Sequence, residues 1–332
     1  HFAQIFGMSA LLSIIGAGAG SAGVSPDARY NSADAYRHEV QQTLSVEGLR
    51  LHEAPPLYES TADVVRVVSD LRAAGHPGGL VAAVLNQSKL RARAEAKFGP
   101  FAASMLFTEA GLEQATRLSV AAQHAGRFQR AGLNWIADLG CGVGADALAI
   151  AALELEVTAV ERDEVTAAIA AYNLAPWSNA RVEHADAESF DLAGVDGVYL
   201  DPARRDGVKR LKNPADWSPS LDFAYGLAQR LPVGVKLGPG IDRDLIPNDA
   251  EAQWVSVDHD VVEVGLWFGT LARQNVRRAA LVIGQHLGQR GHRRTDRLVV
   301  GVLVLGPPRL AVVGLEVLVE VRFCRAALLG GA

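Results

Sequence analysis

The segment Trp135-Ile136-Ala137-Asp138-Leu139-Gly140-Cys141-Gly142-Val143-Gly144 constrains this 332-residue chain more than any other stretch. An apolar run, three glycines at alternate positions and an alanine-rich continuation spell strand, tight turn and helix. Glycine lets a backbone bend through such a turn and approach a ligand where any Cβ would collide. Further strands are expected at 157–160, 181–184, 197–200 and 233–237, with helices at 145–153 and 163–174. Segments 254–257 and 262–267 are expected to close the unit as an antiparallel hairpin. Short strands alternating with helices predict an α/β unit built on a parallel sheet.

The region before this unit has a helical texture. Residues 60–74 open on Ser60 and Thr61 and stop at Gly75, and a second helix runs on from Gly78-Gly79 towards Phe98. Thr108 has the character of an N-cap, followed by Glu109 and a single helix through Leu112, Ala115, Leu118 and Ala122. Residues 24–45 are polar and give no clear element. The expected organisation is a leader without ordered structure (1–45), an N-terminal helical subdomain (46–130), the α/β core (131–272) and a divergent C-terminal segment (273–332).

The glycine turn alone is a weak signal, because Gly140, Gly142 and Ala145 also satisfy a nicotinamide-dinucleotide pattern. Three acids bear on the choice. Asp138 ends the first strand two residues before Gly140, where a carboxylate suits a free α-ammonium group and repels a pyrophosphate. Glu161 ends the second strand, placed to accept hydrogen bonds from a ribose diol, and Arg162 follows it. Asp186 and Ala187 follow the third strand, where an acid can accept from an adenine amine. Carboxylates at three consecutive strand ends lie where open α/β sheets bind ligands.

This arrangement resembles the class I S-adenosylmethionine-dependent methyltransferases. The resemblance implies a Rossmann-like doubly wound sheet with a helical N-terminal subdomain, and S-adenosyl-L-methionine as cofactor. It gives Asp138, Gly140, Gly142 and Gly144 the methionine part, Glu161 the ribose and Asp186 the adenine. A narrower resemblance is to actinobacterial methyltransferases with a THUMP-like C-terminal domain. It is carried by Gln87-Ser88-Lys89-Leu90-Arg91-Ala92-Arg93, Lys97-Phe98-Gly99-Pro100-Phe101, Leu106-Phe107-Thr108, Gln114-Ala115-Thr116-Arg117, Leu200-Asp201-Pro202-Ala203-Arg204-Arg205 and Ala252-Gln253-Trp254-Val255-Ser256. It implies an RNA substrate. By the same likeness Lys97, Phe107 and Thr108 close over the cofactor.

Asp201, Pro202 and Arg204 are the catalytic candidates. The matching Asp/Asn-Pro-Pro-aromatic loop of amino-group methyltransferases offers a side-chain oxygen and a carbonyl to an exocyclic amine, so its contribution is positioning and charge. Here Ala203 and Arg204 replace the second proline and the aromatic, which removes the stacking ring. The basic run Arg204-Arg205-Asp206-Gly207-Val208-Lys209-Arg210 can hold phosphate. A covalent-cysteine route is not expected, since Cys141 sits in the glycine loop and Cys324 in the tail.

A net charge of −5 gives no global electrostatic reason for tight nucleic-acid binding. Residues 273–332 carry ten arginines, no lysine and three acids. Strands at 298–305 and 310–321 fit their composition, but an out-of-frame reading of a GC-rich gene fits slightly better. Two cysteines and no Cys/His cluster point to a cytoplasmic protein with no metal, and no apolar run suits a membrane span. The first 23 residues lack the basic start of a secretory signal. Two alternatives stay open: an NAD-dependent oxidoreductase, and a catalytically silent cofactor-binding module.

Overall fold

The computed structural model describes residues 32–53, 61–203, 205–206, 209–210, 216–286, 297–305 and 310–313. Helices come first: α1 (Ser32–Leu44), α2 (Val46–Glu53), α3 (Thr61–Ala73), α4 (Gly78–Phe98), α5 (Glu109–Gln114) and α6 (Leu118–Arg130). The core follows as β1 (Trp135–Leu139), α7 (Ala145–Ala152), β2 (Glu156–Glu161), α8 (Glu164–Leu174), β3 (Ala180–His184) and β4 (Gly197–Leu200). A short ribbon, β5 (Arg205–Asp206) and β6 (Lys209–Arg210), precedes α9 (Leu221–Ala228) and β7 (Val233–Leu237). The chain continues as β8 (Glu251–Val257), β9 (Asp260–Trp267), β10 (Arg278–His286), β11 (Arg297–Leu305) and β12 (Leu310–Val313).

Ten strands form one sheet in the order β12-β11-β10-β8-β9-β7-β4-β1-β2-β3. Strands β3, β2, β1, β4 and β7 are parallel neighbours, and β9 pairs antiparallel with both β7 and β8. This is the expected doubly wound α/β fold with its antiparallel hairpin. The strand order reverses between β1 and β4, so their C-terminal ends flank the crevice where such sheets take ligands.

Alternation along each strand divides the interior between the two faces of the sheet. Ile136, Leu148, Ile169, Tyr199 and Trp267 pack with Leu90, Phe98 and Phe128 of the preceding helices and with Phe107 from the segment before α5. Ala137, Leu139, Val198, Leu200, Val235 and Leu266 pack with Leu221 and Leu227 of α9 on the other face. The N-terminal helices therefore share a core with the sheet.

Three expectations change. Residues 32–44, read as part of an unstructured leader, form α1, which buries Val40 and Leu44 in the shared core. The single helix begun at Thr108 is two, because Ala115 and Arg117 have extended backbones and part α5 from α6. The segment after 272 contributes strands: β10 pairs parallel with β8, burying Ala279, Leu281 and Ile283, and β11 and β12 add to it antiparallel. Its composition of Val, Leu and Ala suits strands, and β10 covers the edge that β8 would otherwise leave open. Residues 314–332 lie outside the described residues.

Candidate functional site

The turn after β1 is built as its glycines require. Gly140, Gly142 and Gly144 have φ of +83°, +56° and +87°, a region L side chains rarely adopt. The N–H groups of Gly140 and Cys141 both donate to Val160 O, at 2.9 and 3.1 Å, tying the turn to the end of β2. A Cβ on Gly140 would lie 3.4 Å from Asp201 O, so the turn and the loop after β4 are in close approach. Around Gly142 nothing lies within 4 Å of the same position, and the turn opens to free space there.

Asp138 is 1% exposed, and its Oδ2 has no hydrogen-bond partner. The carboxyl accepts one bond from the Ala147 backbone. Burial pushes its pKa well up, and the nearby Asp146 and Asp201 push it further. A buried acceptor left unpaired among other acids is costly unless a donor, best a cation, completes it. That is what the α-ammonium of the expected cofactor's methionine part supplies, so the residues present fit that cofactor at this point.

Glu161 spans the turn from the other side. Its Oε2 accepts from Gly142 N at 3.1 Å and its Oε1 from Asp163 N at 2.9 Å, which fixes the carboxylate beside the open face of the turn. Each oxygen keeps a second lone pair for a diol. Asp186 is exposed and accepts from Glu188 N at 2.8 Å through Oδ1, while Ala187 is buried beneath it. Glu188 in turn accepts from Ser220 N, and Arg162 donates to Ser218 Oγ at 2.9 Å. The ends of β2 and β3 and the segment before α9 thus form one rim.

Asp201 and Pro202 begin the loop after β4, and Pro202 is buried. Arg204 lies outside the described residues. Lys236 of β7 reaches across to Asp201, with Nζ 2.5 Å from Oδ2 and 3.3 Å from Gln114 O at the end of α5. Burial alone would lower the ammonium's pKa, but the carboxylates of Asp201, Glu263 and Asp146 outweigh it and raise it. Burial likewise raises the Asp201 carboxyl, against the pull of Lys236.

Phe107 departs from the expected role. Its ring is fully buried, 5.2 Å from that of Phe98, and so belongs to the core. Its backbone is what matters: Gln87 bonds both Phe107 N and Phe107 O, and Arg91 donates to Met105 O. Asn173 of α8 holds Leu106 on the other side and also donates to Val143 O in the glycine turn. This extended segment sets Thr108, whose Oγ1 caps α5 through Gly111 N at 2.8 Å. A Cβ on Gly111 would stand 2.5 Å from a Val143 methyl, so α5 rests directly on the turn. Lys97 does not face the crevice: its Nζ donates to Leu112 O, Glu113 O and Ala115 O, closing the C-terminus of α5.

Beneath the turn lies a polar cluster that no motif announced. His124 of α6 bonds Asp146 at 2.8 Å and Glu263 at 2.8 Å, and Tyr199 OH lies 2.8 Å from the same imidazole. Thr116 donates to the other oxygen of Asp146 at 2.6 Å. Burial opposes the imidazolium, but the two carboxylates prevail and raise the His124 pKa to about 9. Asp146 opens α7, so the cluster anchors the helix that the glycine turn leads into. The Cys141 thiol is pushed well up by burial and by Asp138 and Glu161, which leaves it a poor nucleophile. Among the described residues no group of His, Cys, Asp and Glu could hold a metal ion, and no helix is long and apolar enough to cross a membrane.

Residues 37–94 match a family described as a domain of unknown function, DUF8688. The chain is 30% identical over 210 residues to uncharacterized S-adenosylmethionine-dependent methyltransferases of Mycobacterium tuberculosis strains CDC 1551 and H37Rv. The matched region is 60% of this chain and 58% of those proteins, so the chain spans under two thirds of their length. A crystal structure of a candidate methyltransferase from Porphyromonas gingivalis W83 is similar at 18% identity and a TM-score of 0.46, covering 81% of this chain and 65% of that one. The T. thermophilus 16S rRNA N2 G1207 methyltransferase is similar at 21% identity and a TM-score of 0.35, covering 49% and 43% of the two chains.

Proposed function

We propose that the chain is an S-adenosylmethionine-dependent methyltransferase whose acceptor is an amino group in RNA. The observation that carries the cofactor is Asp138: a buried carboxyl with an unpaired Oδ2, at the foot of a turn that is open above Gly142. Similarity to the mycobacterial proteins supports the same reading. A dinucleotide is disfavoured, because its pyrophosphate would face Asp138 with Asp146 and Asp201 close behind.

Asp138 would hold the α-ammonium, Gly140, Gly142 and Gly144 the methionine part at close approach, Glu161 the ribose hydroxyls, and Asp186 with Ala187 the adenine. The cofactor supplies a methyl group made electrophilic by the sulfonium it leaves. Asp201 would accept a hydrogen bond from the acceptor's N–H and aim the nitrogen lone pair at that methyl. Lys236 holds Asp201 in place and favours its ionised form against the upward push of burial, which an acceptor oxygen needs. The RNA substrate rests on the family resemblance and on the basic run from Arg204 to Arg210.

Incubation with radiolabelled S-adenosylmethionine and fractionated RNA, protein and small molecules tests this reading. Label is expected in RNA and is lost with Asp201→Ala, while cofactor affinity stays. Label in another pool would move the acceptor, and label in none would remove the activity.

A further inference from the structure

A second cavity lies at the opposite end of the sheet from the glycine turn. It has a volume of about 190 Å³ and is lined by Arg127, Arg130 and Arg273 with the polar side chains of Gln123, Gln253 and Thr270. Arg130 ends α6 just before β1 begins, so roughly 15 Å of β1 separates this cavity from the crevice.

Its charges do not balance. Glu251, fully buried, is the carboxylate that meets these guanidinium groups. Arg127 forks onto both its oxygens at 3.0 and 2.6 Å, and Arg273 adds Nε and a terminal nitrogen at 3.1 and 2.6 Å with its own N–H at 2.7 Å. Arg127 also donates to Leu271 O, and its guanidinium lies 4.5 Å from the Trp267 ring centre. Glu251 is therefore saturated by two arginines. Arg130 makes no hydrogen bond or ion pair among the described residues; its guanidinium folds back over Gly126, and the nearby Arg273 repels it. One buried carboxylate against three arginines leaves two positive charges around a cavity with ample room for more than a single water.

We propose that this cavity binds a phosphate-type oxyanion, bridged between Arg130 and the remaining donors of Arg273. Guanidinium forks match the spacing of phosphate oxygens, and Gln123, Gln253 and Thr270 supply neutral donors around them. The buried Arg127–Glu251 fork gives the site a fixed wall, because neither partner can swing away without leaving a charge unpaired. The site is independent of the crevice and of the reaction proposed there.

Inorganic phosphate titrated calorimetrically into the full chain tests the inference, with potassium chloride holding the ionic strength constant. Saturable heat is expected, and Arg130→Gln should weaken the binding by about tenfold or more. The same variant should bind S-adenosylhomocysteine as the parent does, which separates this site from the crevice. Absence of saturable heat in the parent, or equal phosphate affinity in Arg130→Gln, overturns it.

Discussion

Lys236 Nζ lies 2.5 Å from Asp201 Oδ2, joining β7 to the loop that follows β4. The same ammonium reaches Gln114 O, so one cation ties the loop after β4 to the end of α5. Without it, Asp201 would face Asp146 and Glu263 with no counter-charge. Lys236→Met is expected to lower kcat by about 10–100-fold and to shift the activity profile to higher pH, as Asp201 takes up a proton more readily. Lys236→Arg should restore part of the rate. An unchanged pH profile in Lys236→Met would contradict this.

Gly142 separates a folding effect from a ligand effect. Its φ of +56° makes a side chain costly by about 1–2 kcal/mol, yet the protein leaves the space above it open. Gly142→Ala should therefore lower the thermal midpoint modestly while reducing affinity for S-adenosylhomocysteine by more than that strain accounts for. Equal losses in both measurements would mean that no ligand approaches there.

His124 predicts how stability follows pH. Its pKa is raised to about 9 in the fold, against about 6.5 in an unfolded chain. Between these values the folded state binds the extra proton, so its contribution is complete below pH 6.5 and is lost as pH rises through 9. Denaturant unfolding should report a stability decline of up to a few kcal/mol over that window. His124→Gln should be less stable at neutral pH, because Asp146 and Glu263 lose their shared cation, and its profile over the same window should be flatter.

Lys97 holds three carbonyls at the end of α5. Lys97→Met leaves them without that donor and is expected to cost about 1–3 kcal/mol, read as a lower thermal midpoint. Since α5 rests on Val143, cofactor affinity should fall as well. A variant as stable as the parent would show that water replaces the ammonium fully.

The α/β layering was legible because its signals are local. Alternating strand and helix segments marked β1 to β4 and β7, and the glycines marked the turn. The places of Asp138, Glu161 and Asp186 at or just after strand ends could be read because strand ends are legible. The contacts that support them were not. Lys236 is a single polar residue in an apolar strand, and its partner lies 35 residues away. His124 reads as one polar position on an amphipathic helix, and Glu263 is 139 residues further on. Pairings across such distances leave no periodic trace. Phe107 packs its ring in the core while Gln87 holds its backbone, a contact 20 residues apart that a short motif does not reveal. At Ser32–Leu44 the polar composition hid a helix that buries Val40 and Leu44.

The central claim is tested most directly by calorimetric titration of S-adenosylhomocysteine into the parent chain and into Asp138→Ala. Saturable binding is expected in the parent, with affinity reduced by about tenfold or more in Asp138→Ala, which removes the buried acceptor proposed to meet the α-ammonium. No binding heat in the parent, or identical affinity in a well-folded Asp138→Ala, would contradict the account.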